Sequence, residues 1–138
     1  MKRPFALEGL DHVTLLVTDM EQARRFYEDI IGCTPELSLP QYGMELFRCG
    51  AALIVVVDIS DPNAAWAKPE VEGGRNMDHV CLATGRFEHQ AMRDYLAAND
   101  VAIVEESFHG GARGESLSFY IRDPFGNTLE LKGPPEPL

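Results

Sequence analysis

Long apolar runs are missing from this sequence, because no segment approaches the roughly 20 apolar residues that a membrane-spanning helix requires. Basic residues are also few, with 12 Lys and Arg against 22 Asp and Glu, which gives a formal net charge of −10. A surface of this sign repels phosphate backbones and anionic lipids, so we expect neither a nucleic-acid partner nor a membrane partner. The three cysteines, Cys33, Cys49 and Cys81, form no CxxC pair. Their odd number is typical of reduced, mostly buried thiols in a cytoplasmic protein.

What the chain does contain is an internal repeat within the length of one globular domain. The 138 residues are 45% hydrophobic and 25% charged, an ordinary globular composition. The motif Asp11-His12-Val13 recurs 67 residues later as Asp78-His79-Val80, and a leucine follows each valine two residues on. Each copy lies in a short run of strand-forming residues and is followed by a turn and a segment with helical spacing.

The segments after each motif come in the same order. In the first half, Asp19 and Gln22 form a capping box and Gly32 supplies the helix stop. In the second half, helical spacing runs from about Glu88 to Ala98. The predicted strands are Tyr42–Cys49 and Ala51–Val57, turned at Gly50, and Val101–Glu106, Leu117–Arg122 and Thr128–Lys132.

This order predicts an α+β fold of two tandem β-α-β-β-β modules, at about residues 7–60 and 75–132. We expect the modules to form a curved mixed sheet around a metal-binding cup, with the helices on the convex side. The proline-rich tail, residues 133–138, is predicted to be mobile.

Strand alternation separates a polar face from the apolar face beneath the helices. Val13, Leu15 and Val17 share one face, which places His12 on the other. The same parity places His79 and Glu130 opposite the core. If the halves close into one sheet, two imidazoles and one carboxylate meet in the cup, a set that suits one divalent ion: zinc, nickel, manganese, cobalt or iron.

The sequence resembles the vicinal oxygen chelate superfamily, which includes glyoxalases, bleomycin resistance proteins, extradiol dioxygenases and methylmalonyl-CoA epimerases. The resemblance rests on the two Asp-His-Val strands, on Phe26-Tyr27 in the first helix, and on the stretch from Phe119 to Leu131 with its Asp-Pro-Phe-Gly-Asn turn. It covers about residues 7–132. It implies metal ligands at His12, His79 and Glu130, a small-molecule substrate, and a homodimer in which the site is sometimes built across the interface.

One position departs from the glyoxalase I pattern, in which the first half supplies a fourth acidic or amide ligand. Alignment of Gly50 with Gly126 places Ile54 at the position of Glu130. A three-ligand site is more similar to those of extradiol dioxygenases and fosfomycin-modifying proteins, so strict glyoxalase I activity is not expected.

Further residues are predicted to contact a substrate. By parity, Met44, Leu46 and Ile54 line the cup as an apolar wall. Arg48 and Arg122 occupy repeat-equivalent positions and are candidates to bind a substrate carboxylate, although arginines at the sheet rim explain them equally well. Tyr120 is the candidate hydrogen-bond donor or general acid.

Three functions fit these residues. A metal-dependent enzyme with redox-neutral lyase or isomerase chemistry is favoured, in which adjacent substrate oxygens chelate the ion and Tyr120 and Glu130 are catalytic. An extradiol ring-cleavage dioxygenase is the second, for which His109 in the glycine-rich loop is the only further histidine available. A metal-free binding or resistance protein is the third.

Overall fold

A computed structural model describes residues 6, 10–67 and 77–137 of the chain. The chain divides into two compact units, Met1–Pro69 and Glu70–Leu138, and each unit holds one of the predicted modules. The predicted module starts, near residues 7 and 75, and the last residue of the predicted mobile tail lie outside the described residues.

The first unit is a four-stranded mixed sheet with the strand order β1-β4-β3-β2. β1 and β4 are parallel, and the other neighbours are antiparallel. Its elements are β1 (His12–Val17), α1 (Met20–Arg24), a π-helical continuation (Arg25–Ile30), β2 (Thr34–Leu39), a 3-10 turn (Pro40–Tyr42), β3 (Met44–Cys49), β4 (Ala52–Asp58) and a second 3-10 turn (Pro62–Ala64).

The second unit repeats this topology, with the strand order β5-β8-β7-β6 and β5 parallel to β8. The repeated order confirms an α+β fold built from tandem β-α-β-β-β modules. Its elements are β5 (Val80–Ala83), α2 (His89–Ala98), β6 (Ile103–His109), β7 (Ser116–Arg122) and β8 (Thr128–Lys132).

The first helix widens part-way along its length. Asp19 caps it as predicted, since the carboxylate Oδ1 accepts a hydrogen bond from the Gln22 amide at 3.0 Å. Beyond α1 the bonding becomes i to i−5, with the Ile31 amide bonded to the Phe26 carbonyl at 2.9 Å. Phe26 and its neighbour Tyr27 are both buried there, at 2% and 0% exposure. Two adjacent aromatic rings thus enter the core from one helix.

The core of each unit lies on the apolar face that strand alternation predicts. In the first unit Leu15 and Val17 of β1 are buried, and so is Phe47 of β3. In the second unit the corresponding buried residues are Leu82, Leu96, Phe119, Ile121 and Leu129. Because one face of each sheet buries these side chains, the opposite face presents the histidines.

Several details differ from the sequence predictions. β2 is a strand that the sequence did not reveal, and β6 reaches His109, which pairs with Ser116 instead of lying in the glycine-rich loop. At the tail, the Glu136 amide bonds to the Glu115 carbonyl at 2.8 Å. The mobility of residues 133–138 therefore stays a prediction, now for a segment with a defined backbone contact.

Among the described residues, no helix is long and apolar enough to cross a membrane.

Candidate metal centre and substrate cavity

Each repeated histidine is hydrogen-bonded to the aspartate that precedes it. His12 Nδ1 lies 2.7 Å from Asp11 Oδ1, and His79 Nδ1 lies 2.7 Å from Asp78 Oδ2. A carboxylate at Nδ1 fixes the ring and leaves Nε2 as the nitrogen available to a metal, the arrangement that metal-binding histidines typically show. The sequence repeat is therefore also a repeat of side-chain geometry.

In the second unit the remaining histidine nitrogen faces the predicted carboxylate ligand. His79 Nε2 lies 3.1 Å from Glu130 Oε1. The other oxygen of this carboxylate, Oε2, accepts a hydrogen bond from the Ser118 hydroxyl at 2.7 Å. The sheet register explains the meeting, because Cys81 of β5 and Tyr120 of β7 both pair with Glu130 and so share its face with His79.

Glu130 is buried, with 4% exposure, yet its surroundings favour the charged form. Burial alone raises the pKa of this carboxyl, but hydrogen bonds from Tyr120 and Ser118 and the nearby His79 outweigh burial and leave the pKa below its usual value. Glu130 is therefore a carboxylate at neutral pH, the form in which it binds a metal.

Tyr120 and Cys81 keep their protons beside this carboxylate. Burial and the hydrogen bond to Glu130 raise the pKa of Tyr120, so its phenol is a proton donor at neutral pH. Burial and the charge of Glu130 raise the pKa of Cys81 to about 11. The Tyr120 ring also stacks edge-on against His79 and against His109, with centroids 5.2 and 5.7 Å apart.

A cavity of about 310 Å³ opens beside these groups in the second unit. This volume is in the range of small-molecule sites. Its lining consists of His79, Cys81, Ala83, Gly110, Gly111, Ala112, Arg113, Glu130 and Lys132. The candidate ligands His79 and Glu130 thus face a space that a small substrate can enter.

In the first unit the register places Met44, Leu46 and Arg48 on the face of His12, as predicted. His12 pairs with Leu53, and Leu53 pairs with Arg48. The prediction for Ile54 is wrong by one residue, because Ile54 pairs with Val13 and Phe47 on the helix-covered face and is 1% exposed.

The reason for this shift is the length of the turn before the last strand. Between the equivalent strand pairs, four residues separate Arg48 from Leu53, whereas five residues separate Arg122 from Thr128. Alignment of Gly50 with Gly126 therefore slips the register by one. Val55, not Ile54, occupies the position of Glu130, and the expected absence of an acidic side chain there still holds.

The two predicted substrate-binding arginines have different surroundings. Arg48 forms a two-pronged ion pair with Glu36, with Nη2–Oε1 and Nε–Oε2 distances of 3.0 and 3.2 Å. Arg122 is exposed on β7. No ion pair joins it to another described residue. Binding of a substrate carboxylate by Arg48 requires its pair with Glu36 to open.

The donor set of the second unit fits part of a metal site. One imidazole nitrogen and one carboxylate suit a divalent first-row ion, but together they provide two protein ligands, whereas catalytic sites usually have three. No three His, Cys, Asp or Glu side chains within residues 10–67 and 77–137 are grouped to hold an ion. A further ligand is therefore needed to complete the centre.

Sequence reasoning overlooked several groups that contact the candidate ligands or line the cavity beside them. Asp11 and Asp78 were visible in the repeat, and their recurrence beside each histidine was a usable signal. Ser118 and the pair Arg113 and Lys132 gave no comparable signal, because their contacts depend on strand pairing and on a loop conformation.

Comparison with known proteins agrees with this architecture. A Salmonella typhimurium virulence protein, STM3117, is 28% identical over 127 residues, which cover 91% of this chain and 83% of the relative. Its crystal structure aligns with a TM-score of 0.72 at 25% identity, covering 95% of this chain and 100% of the other.

Two relatives carry the names of enzymes. Mitochondrial methylmalonyl-CoA epimerase from Bos taurus is 28% identical over 130 residues, which cover 89% of this chain and 72% of the relative. The structure of lactoylglutathione lyase from Agrobacterium tumefaciens aligns with a TM-score of 0.64 at 26% identity, covering 95% of each chain. The family model for the Glyoxalase/Bleomycin resistance protein/Dioxygenase superfamily matches residues 9–131. The chain therefore belongs to this superfamily, which is the vicinal oxygen chelate group.

Proposed function

We propose that this protein is a metal-dependent enzyme that catalyses a redox-neutral lyase or isomerase reaction on a small substrate with two adjacent oxygens. The observation that carries the proposal is the pair of Asp–His contacts at equivalent positions of the two modules, one of which directs its Nε2 toward a buried carboxylate. Two relatives named as an epimerase and a lyase support the redox-neutral choice.

His79 and Glu130 would hold the ion, and His12 is the candidate third ligand. When bound, a divalent ion in such a centre polarises substrate oxygens and stabilises developing negative charge, which supplies several kcal/mol. Asp78 keeps the His79 ring oriented through the Nδ1 contact of 2.7 Å. Ser118 holds the second oxygen of Glu130, so the carboxylate has one oxygen directed to His79 and one fixed by the protein.

Tyr120 is the candidate proton donor of the reaction. Its phenol remains protonated because its pKa is raised, and Glu130 accepts its hydrogen bond. A substrate oxygen that replaces Glu130 as the hydrogen-bond partner would receive a proton from a group already positioned beside the cavity. Glu130 then remains ionised, since its own pKa is lowered.

Metal content tests this proposal directly. We expect the purified or reconstituted protein to bind a divalent ion stoichiometrically, and His12→Ala, His79→Ala and Glu130→Ala to lose it, as measured by plasma mass spectrometry after gel filtration. His89→Ala is the matched control, because His89 lies on α2 and contacts Glu136 instead of the candidate ligands. Retention of the ion by all three variants would show that the ligand assignment is wrong.

Ring cleavage with dioxygen is the second candidate, favoured by the contact between His109 and Tyr120. This contact brings a further imidazole to the face of the candidate ligands. Oxygen uptake with a panel of catechols and ferrous ion would support this function, whereas isomerisation or bond cleavage without oxygen uptake would support the redox-neutral one.

A further inference from the structure

The cavity beside the candidate ligands is also lined by two cationic side chains. Lys132 lies two residues after Glu130 on β8 and therefore projects from the same face of the strand. Arg113 lies in the loop between β6 and β7. Both line the cavity together with His79 and Glu130.

The ammonium group of Lys132 is buried without a carboxylate partner among the described residues. The residue is 5% exposed, and its Nζ donates to the Gly114 carbonyl at 2.6 Å and to the Ser116 hydroxyl at 3.0 Å. Lysine is rarely buried to this extent unless it is paired with an anion. Two of its three donors are used by these neutral oxygens, and one remains for a ligand.

Arg113 is held in the same way. Its Nη1 donates to the Thr84 carbonyl at 3.0 Å and its Nη2 to the Lys132 carbonyl at 2.6 Å. These neutral contacts fix the guanidinium at the cavity and leave its charge uncompensated by any described carboxylate. Arg113 is exposed, so Lys132 carries the buried charge, and the two cations meet at one cavity in a chain with a net charge of −10.

The loop over Lys132 is built to admit the lysine side chain. A Cβ atom at Gly111 would approach Lys132 Cε to 3.1 Å and Cδ to 3.3 Å. Gly114 has a φ of +111°, a conformation that other residues rarely adopt. Both glycines therefore allow the loop to lie close against the lysine side chain.

We propose that Lys132 and Arg113 form an anion subsite, and that the substrate is a small organic oxyanion, carboxylate or phosphate in type, whose other oxygens face His79 and Glu130. That the bound anion is a substrate rests on the proposed function. The subsite itself depends only on the second module and is measurable without a metal.

The test measures anion binding to the full chain in the presence of a chelator, so that no divalent ion contributes. Inorganic phosphate and malonate are the two probes, and malonamide is the uncharged control. Binding is measured by calorimetry and by the shift in melting temperature. We expect at least one anion to bind to the parent and malonamide not to bind. The anion that binds more tightly identifies the type of oxyanion group.

Three variants connect this binding to the subsite. Lys132→Met should weaken anion binding by about tenfold or more, because a hydrogen bond to a charged group is lost. Gly111→Ala should weaken it also, by displacing the lysine without removing its charge. Arg86→Met, which removes an exposed positive charge from the same module, should bind the anion like the parent.

Either of two results would overturn the subsite: no anion binds to the parent, or Lys132→Met and Gly111→Ala both bind it as tightly as Arg86→Met does. If Lys132→Met does not fold, Gly111→Ala and Lys132→Arg test the subsite in its place. Gly111→Ala should weaken anion binding, whereas Lys132→Arg keeps the positive charge and should retain it. If the parent binds an anion but no metal, the proposed function fails and the anion subsite stands.

Discussion

At the residue scale, the orientation of an imidazole ring is set by the partner of its second nitrogen. Asp11 and Asp78 occupy that position for His12 and His79, each at 2.7 Å. Ser118 has the same role for Glu130. Such supporting contacts determine whether a ligand meets the ion in the correct geometry, so their removal should weaken the site without removing a ligand.

We therefore predict that Asp78→Asn lowers metal affinity by about 10- to 100-fold, because the carboxylate that orients His79 is lost. Affinity is measured by competition with a chromogenic chelator. Asp94→Asn, an exposed position on α2, is the control and should leave affinity unchanged. Equal metal affinities in the two variants would show that Asp78 does not support the metal site.

The cysteines give a second prediction at this scale. The hydrogen bond from Cys33, against an opposing effect of burial, lowers the pKa of Cys49 to about 7. Cys49 is half-buried, whereas Cys33 is buried and its pKa is raised by the same contact. Of the three thiols, Cys49 alone thus has a lowered pKa.

Alkylation of Cys49 by iodoacetamide should therefore rise with pH and reach half its maximal rate near pH 7, because the thiolate predominates above the pKa of about 7. Peptide mass spectrometry locates the modified residue. In Cys33→Ala the hydrogen bond is absent, and the midpoint should move to higher pH. A midpoint that stays the same in this variant would show that Cys33 does not lower the pKa of Cys49.

At the element scale, the turn between β7 and β8 positions Glu130. Asp123 is buried, and its Oδ1 accepts hydrogen bonds from the amides of Phe125 and Asn127 at 2.9 and 2.8 Å. Gly126 has a φ of +88°, which favours glycine. This turn sets the register of β8, and a register shift of one residue would move Glu130 to the opposite face.

Asp123→Ala should lower the free energy of unfolding by about 1–3 kcal/mol, because two partly buried amides lose their buried acceptor. Urea denaturation followed by circular dichroism provides the measurement. Asp94→Ala, which changes an exposed carboxylate of the same module, should stay within about 0.5 kcal/mol of the parent. A loss for Asp123→Ala no larger than that of the control would show that the turn does not depend on this side chain.

At the scale of the whole molecule, the proposed metal centre links the ligand set to the oligomeric state. In the proposed centre, His79 and Glu130 come from the second module and His12 comes from the first. The superfamily resemblance predicts a homodimer with a site that is sometimes shared between subunits. A mixture of two variants that each lack metal binding therefore tests the oligomeric state and the origin of the third ligand together.

We predict that His12→Ala and Glu130→Ala chains, unfolded together and refolded as a mixture, regain part of the metal binding that each lacks alone. In a dimer that shares its sites, one site of each mixed pair combines an intact His12 with an intact Glu130. Metal content after gel filtration measures the gain. Refolding of each variant alone is the control, and no gain in a mixture that forms mixed dimers would place all three ligands in one chain.

The sequence by itself determined the module order and the face on which the histidines and Glu130 lie. Periodicity and a repeat are local signals, and strand alternation carries them to the correct face at His12, His79 and Glu130. Only the tertiary structure decided what depends on turn length and loop path. The shorter turn at Gly50 moved Val55 into the position assigned to Ile54, and the contact of Cys33 with Cys49 arises between separate elements. Lys132 and Arg113 became neighbours of the same cavity because the chain folds a glycine-rich loop over β8, and residue spacing alone does not specify such a contact.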